Sequence, residues 1–205
     1  MPVLLRNDKD HLATLLAYKL GLAGPALNVG SACSSSLVAV HHGVQALLTW
    51  QCDAALCGGV SIILPQFHGH EVQSAGVSSD DGYFRPFDAS STGTRVGTGV
   101  RHVLLQWLEG ALTERDKNKA VILGSAINND GNRKVGYSAP SAVGQREAIR
   151  FSHEISDIEA ATVEYIETHA TGTKLGDPIE VSALEYVFTD RSATCALGSV
   201  KANIG

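Results

Sequence analysis

Aromatic residues are scarce: Phe, Tyr and Trp together make up 6% of the chain. Basic runs are missing altogether. Lys and Arg are scattered, and the formal charge is −5. That balance gives no electrostatic reason to expect nucleic acid or an acidic membrane surface as a partner. Cysteines number four, Cys33, Cys52, Cys57 and Cys195. None form C-x-x-C, and no His follows at zinc-finger spacing, which argues against a structural zinc or a disulfide framework. A reducing, cytoplasmic setting is the simplest reading. No apolar stretch approaches the length needed to cross a bilayer. The first ten residues are charged within a few positions and do not read as a signal peptide. Low-complexity segments, linkers and short repeats are likewise missing.

What is present is glycine, 21 residues of it, with 44% hydrophobic and 18% charged residues. This composition suits a globular protein with a sizeable core, built from packed α/β layers with many strand-to-helix turns. A length of 205 residues allows one large domain or two small ones. Apolar spacing predicts helices over residues 12–22, 34–50, 110–116, 141–155 and 178–188. Strands are expected over 26–29, 53–64, 97–108, 120–127, 163–167 and 196–200. Gly58-Gly59 inside the second of these implies close approach of a neighbouring backbone. Cys57, in the small apolar run around it, reads as a packed core residue. Residues 66–88 carry many turn formers and read as a long functional loop. On the helix over 141–155, Val143, Ala148, Ile149 and Ile155 are expected to face inward. The alternation of strands and helices predicts a layered α/β fold with a mostly parallel or mixed sheet.

Two stretches carry candidate chemistry. The first is Val-Gly-Ser-Ala-Cys-Ser-Ser-Ser-Leu, residues 29–37. It sets Cys33 between a small-residue turn and an amphipathic run of Leu37, Val40, His41, Val44, Leu47 and Leu48. Ser34, Ser35 and Ser36 suit a first helical turn, whose N–H groups need partners. A helix dipole favours a thiolate at that end. From this stretch alone, a nucleophilic cysteine and a small buried thiol are both open readings. The second stretch is Glu-Thr-His-Ala-Thr-Gly-Thr-Lys-Leu-Gly-Asp-Pro-Ile-Glu, residues 167–180. A strand ends, His169 follows, and a Gly/Thr loop leads to Asp177, a plausible N-cap, with Pro178 at the helix start. Chemistry in α/β proteins gathers at the C-terminal ends of strands. His169 can shuttle a proton or donate a hydrogen bond near neutral pH, or it can simply pack.

These two stretches, with Gly-Ser-Val-Lys-Ala-Asn-Ile-Gly at 198–205, resemble the β-ketoacyl synthase (ketosynthase) domains of modular type I polyketide synthases. Phe-Arg-Pro-Phe-Asp-Ala at 84–89, Asn-Asn-Asp-Gly at 128–131 and Tyr-Ser-Ala-Pro-Ser-Ala-Val-Gly-Gln at 137–145 fit as well. The resemblance implies a thiolase-like fold of α-β-α-β-α layers. Residues 1–205 would form a partial ketosynthase domain cut at both ends, mostly the N-terminal half plus the start of the C-terminal half. The implied reaction is a decarboxylative Claisen condensation. Cys33 would accept an acyl chain from the phosphopantetheine arm of an acyl carrier protein, and a malonyl-type extender would attack the thioester. His169 matches the first of two family histidines, and the second would follow directly after Gly205. Lys201 matches the active-site lysine, orienting the His169 site, and Asp177 takes a loop-ordering role. No directly bound cofactor or metal is implied. The implied partners are acyl carrier protein, a second copy in a homodimer, and the acyltransferase and other modules of the parent synthase, with neither nucleic acid nor membrane.

The sequence departs from the family pattern in places. Ala170 stands where glycine is usual, which matters if the position needs positive φ. Arg101-His102 interrupts a strand, where a buried unpaired Arg would be costly. Gln106 replaces a usual Lys. His41, His42, His68, His70 and His102 match no catalytic position and read as structural or exposed. Alternatives are a catalytically incomplete ketosynthase fragment that only binds carrier protein or a partner, and a different thiol enzyme, a thiolase or cysteine hydrolase. The last is disfavoured by the stretches at 175–180 and 201–205. By itself the chain is expected to be inactive and to expose apolar surface.

Overall fold

The structure is a computed structural model that describes residues 2–65, 69, 72, 76–189 and 194–204. Its contacts divide the chain into two units, residues 1–60 with 100–121, and residues 61–99 with 122–205. His68 and His70, much of the expected loop at 66–88, and Gly205 lie outside the described residues.

The first unit starts with α1 (Pro2–Asn7) and α2 (Leu12–Leu20). The second helix ends just short of the expected 22, at Gly21, whose φ of 67° is the left-handed conformation that closes a helix C-terminus. The strand expected at 26–29 does not form. Among the described residues no strand offers it a ladder, and Asn28 ties the segment down instead. Its side chain accepts from the Ala13 N–H at 3.0 Å and donates to the Lys9 carbonyl. Helix α3 (Ser35–Leu48) follows, with Gly43 and Leu47 buried, while Leu37 and Leu48 at the ends of the predicted stripe are exposed.

Strands β1 (Ala54–Ser61) and β2 (Gly99–Gln106) pair in a two-stranded sheet. The Gly58-Gly59 expectation holds. A Cβ on Gly58 would stand 2.1 Å from the Arg101 carbonyl oxygen, and one on Gly59 would stand 3.0 Å from Ser36 Cβ. Cys57 is buried as expected, and a Cβ on Gly43 would meet its sulfur at 2.3 Å. Burial pushes the Cys57 thiol pKa up. Arg101 is exposed, so the desolvation penalty anticipated for it does not arise. Gln106 donates to the Asp116 carboxylate at 2.7 Å. The helix expected at 110–116 begins earlier, as α4 (Leu108–Thr113). Trp107 sits just before it, stacked on Trp50 at 5.1 Å.

The apolar run at 120–127, which enters the second unit at Ile122, forms no strand. Gly124 lies so close to α5 (Ala142–Ser156) that a Cβ there would be 2.7 Å from the Ser152 carbonyl oxygen. Val121, Ile122, Leu123 and Ile127 stay exposed around it, and a short apolar segment with no ladder partner looks the same in sequence as a strand. The turn at 128–131 is present: Gly131 has φ 59° and donates its N–H to the Asn129 side chain at 2.7 Å. Ser141 caps α5 by accepting from the Gly144 N–H at 3.2 Å. Of the expected inward face, Ala148 and Ile149 are half-buried, while Val143 and Ile155 are exposed; Gly144 is the buried position. Helix α6 (Gly176–Val187) packs on α5, with the Arg146 guanidinium 4.3 Å over the Tyr186 ring and His153 edge-on to Phe188 at 5.5 Å.

Strands β3 (Tyr165–Glu167) and β4 (Ala196–Gly198) pair in parallel, Tyr165 opposite Ala196 and Glu167 opposite Gly198. Both are shorter than the expected 163–167 and 196–200. Residues after β4 wind into α7 (Lys201–Ile204). Large apolar residues such as Leu104, Leu123 and Ile155 are open to solvent, in line with the apolar surface expected of the chain.

Candidate functional site

Cys33 lies in the first unit, in a single 3₁₀ turn (Ala32–Ser34) that leads into α3. The chain turns sharply here: Ala32, just before the cysteine, holds φ 51°, a conformation that L residues seldom adopt. Serine hydroxyls hold the turn. Ser34 Oγ donates to the Ser31 carbonyl at 2.8 Å, and Ser35 Oγ donates to the Ala32 carbonyl at 2.8 Å while accepting from the Ser31 N–H at 2.9 Å. The serines thus act as turn braces, and Ser34 does not cap α3 with its side chain. Cys33 is exposed, which removes the buried-thiol reading of the bare sequence.

His169 and Lys201 lie in the second unit, and here the structure brings two predicted residues together. They follow the ends of the paired strands β3 and β4. Lys201 Nζ stands 3.2 Å from His169 Nδ1 and 2.9 Å from the His169 carbonyl oxygen, to which it donates. The His169 pKa is lowered, first by desolvation and then by the Lys201 charge, against the opposing pull of Glu180 and Asp177. A lysine Nζ carries only N–H donors, so Nδ1 is the acceptor and the ring proton resides on Nε2. The ring thereby presents a neutral N–H donor at its free edge.

Asp177 is not the N-cap expected of it; Leu175 takes that place and Asp177 falls within the first turn of α6. Its buried carboxylate orders the loop instead, accepting from the Gly172 N–H at 3.0 Å and the Phe87 N–H at 2.9 Å. Pro178 is the third helical residue, where a missing N–H leaves no bond unmade. Glu180 was not singled out by sequence. Its two oxygens accept from the His169 and Ala170 N–H groups, each at 2.7 Å. The signal was there: positions 177 and 180, at i and i+3, share one face of the helix. Ser91 was also missed; its hydroxyl donates to the Gly172 carbonyl. Ala170 has φ 33° and is almost fully buried, so this position does take the positive φ that favours glycine.

A family model for the β-ketoacyl synthase N-terminal domain matches residues 1–111, and one for the C-terminal domain matches residues 119–205. The chain belongs to the β-ketoacyl synthase family. Among β-ketoacyl synthase relatives, it is 48% identical over 205 residues to a phenolphthiocerol/phthiocerol polyketide synthase of Mycobacterium tuberculosis, covering 98% of this chain and 14% of that protein. It is 43% identical over 197 residues to polyketide synthase PksN of Bacillus subtilis, covering 95% of this chain and 4% of that one. Among solved structures it resembles ketosynthase twelve of the bacillaene polyketide synthase from Bacillus amyloliquefaciens, with TM-score 0.92 and 39% identity over 97% of this chain and 36% of that one. The ketosynthase from module 6 of the bacillaene synthase of Bacillus subtilis gives TM-score 0.89 at 40% identity, covering 99% and 37%. The fold is therefore thiolase-like, as expected, and the chain spans a small part of the curated relatives it matches. Among the described residues, no helix is long and apolar enough to cross a membrane.

Proposed function

We propose that residues 1–205 are part of one ketosynthase domain of a polyketide synthase and serve a decarboxylative Claisen condensation. The observation that carries this reading is the contact of Lys201 Nζ with His169 Nδ1 at 3.2 Å. It leaves a neutral imidazole with its proton on Nε2, suited to donate to a developing oxyanion. Family membership and the exposed Cys33 on its braced turn support the rest.

In this reading, Cys33 Sγ attacks the carbonyl of an acyl thioester carried on the phosphopantetheine of an acyl carrier protein. The carrier thiol leaves with a proton, and the acyl group rests on Cys33. A malonyl-type extender thioester then loses CO2. The electrons of the broken C–C bond form an enolate, whose oxygen accepts the hydrogen bond from His169 Nε2. The enolate carbon attacks the Cys33 thioester, a new C–C bond forms, the C–S bond breaks and the thiolate is restored. Lys201 holds His169 in the required tautomer. Asp177 and Glu180 hold the loop that carries it.

The partners on this reading are acyl carrier protein, a second copy in a homodimer, and the further modules of the synthase. The setting is the reducing cytoplasm, in keeping with four free cysteines. The 205 residues cover 36% of a solved ketosynthase chain; isolated, they are expected to be inactive in condensation, with acylation of Cys33 the one step left open to a half-built site. The test is incubation of the purified chain with an acyl N-acetylcysteamine thioester, followed by mass analysis. Mass gain on Cys33, lost in Cys33→Ala, supports the reading. The rival reading, a fragment that only binds carrier protein, gives no mass gain.

A further inference from the structure

We propose that Glu167 is a positioning residue: held by the Tyr165 hydroxyl, its carboxylate fixes the backbone at Val200 and so places Lys201 against His169. This rests on the roles given above to His169 and Lys201. The parallel register sets Glu167 opposite Gly198, and strand alternation puts Tyr165 and Glu167 on one face. The Tyr165 hydroxyl donates to Glu167 Oε2. Its ring lies across Gly198, where a Cβ would stand 2.0 Å from the hydroxyl oxygen, so only glycine admits this arrangement. The other carboxylate oxygen, Oε1, accepts from the Val200 N–H at 2.7 Å.

Val200 immediately precedes Lys201, the first residue of α7. Immediately after β3, Thr168 donates both its N–H, at 2.9 Å, and its hydroxyl, at 2.7 Å, to the Gly198 carbonyl. The end of β3 is thus tied to residues 198–200 at three points, with His169 the next residue on one side and Lys201 on the other. Since α7 has only four residues, its own backbone bonds cannot fix its entry. The bond from Val200 to Glu167 supplies that fixing from outside the helix.

A residue that merely joined two strands would alter stability and leave the His169 ring unaffected. A residue that acted only through charge would shift the ring in the opposite sense. Removing the Glu167 carboxylate with Lys201 still in place leaves the lysine charge less compensated, and His169 would protonate at lower pH. If Lys201 is instead released, the ring loses the adjoining cation and protonates at higher pH. The other charged groups acting on the ring, Glu180 and Asp177, are unchanged in either case.

The experiment is an NMR titration of the eight histidines of the 205-residue chain, with His169 assigned through His169→Asn. Glu167→Ala is expected to raise the His169 midpoint by about half a pH unit or more, as Lys201→Ala does, and the two changes together should give no further rise. Glu167→Gln, whose amide oxygen can still accept from Val200, should return the midpoint towards that of the unaltered chain. An unchanged or lowered midpoint in Glu167→Ala overturns the proposal. If that variant does not fold, Tyr165→Phe decides: a rise supports the proposal, and an unchanged midpoint overturns it. The readout is protonation of a ring, so it is independent of whether Cys33 accepts an acyl group.

Discussion

Lys201 Nζ reaches both Nδ1 and the carbonyl oxygen of His169, at 3.2 and 2.9 Å, so one side chain fixes the ring and the backbone that bears it. The two residues are 32 positions apart in sequence and meet because the strands that deliver them are paired in parallel. The first consequence is a tautomer. At pH 7.5 the His169 ring should show its proton on Nε2 in long-range 15N–1H spectra. Lys201→Met should let the Nδ1–H tautomer become populated, whereas a ring held by packing alone would keep its tautomer in that variant.

Acidification should destabilise the chain in a window set by its histidines. The His169 and His153 pKa values both lie below the ordinary 6.5, in each case with desolvation as the leading cause. Between the lowered values and 6.5 the unfolded chain binds more protons than the folded one, so stability falls as pH falls. The melting temperature should therefore drop as pH is taken from 7.5 towards 5.5. The double variant His153→Asn with His169→Asn should flatten that slope. The lowered carboxylates, Glu147 and Glu167 among them, add their loss only below about 4.5. A melting temperature that rises on acidification from 7.5 contradicts this assignment.

Glu180 accepts from two successive backbone N–H groups, those of His169 and Ala170. Glu180→Ala leaves both without their acceptor, one of them on a buried residue. A loss of about 2 kcal/mol in urea unfolding is expected. Glu180→Gln keeps one accepting oxygen and should fall between the two. Equal stability of all three chains would show that water replaces the carboxylate freely.

Gly58→Ala tests the approach of β2 to β1. The added Cβ would sit 2.1 Å from a main-chain carbonyl oxygen, which has no side-chain freedom with which to give way. The strand pair must shift, at a cost of about 1–3 kcal/mol. Gly99→Ala, at the start of the partner strand where a Cβ meets nothing within 4 Å, is the control and should be close to neutral.

Local signals in the sequence were faithful where the chain acts on its nearest neighbours. Gly21 ends α2 and Gly58 admits a neighbouring backbone, each through contacts that short spacing or residue type announces. Strands at 26–29 and 120–127 were misread because apolar character shows only that a segment needs cover. Asn28 supplies side-chain bonds in the first case; in the second, α5 approaches Gly124 alone and Val121, Ile122, Leu123 and Ile127 stay exposed. Local motifs marked Cys33 and His169 as candidates, and the family resemblance added Lys201. What it could not show was which group binds which: Asp177 looked like a cap and proved to be a loop clasp, and Glu180 passed unnoticed. Such pairings depend on the fold of the 168–173 loop over the start of α6. The inward-facing positions on α5 were half right, since the exposed Val143 and Ile155 face no partner element among the described residues.

The central claim is that Cys33, exposed on its serine-braced turn, is an acyl acceptor. Intact-mass and peptide analysis after incubation with an acyl N-acetylcysteamine thioester tests it most directly. A single acyl group located on Cys33, with Cys52, Cys57 and Cys195 unmodified and the signal lost in Cys33→Ala, is the predicted result. No acylation under conditions in which a complete ketosynthase is acylated, or acylation spread over the other cysteines and persisting in Cys33→Ala, would contradict it.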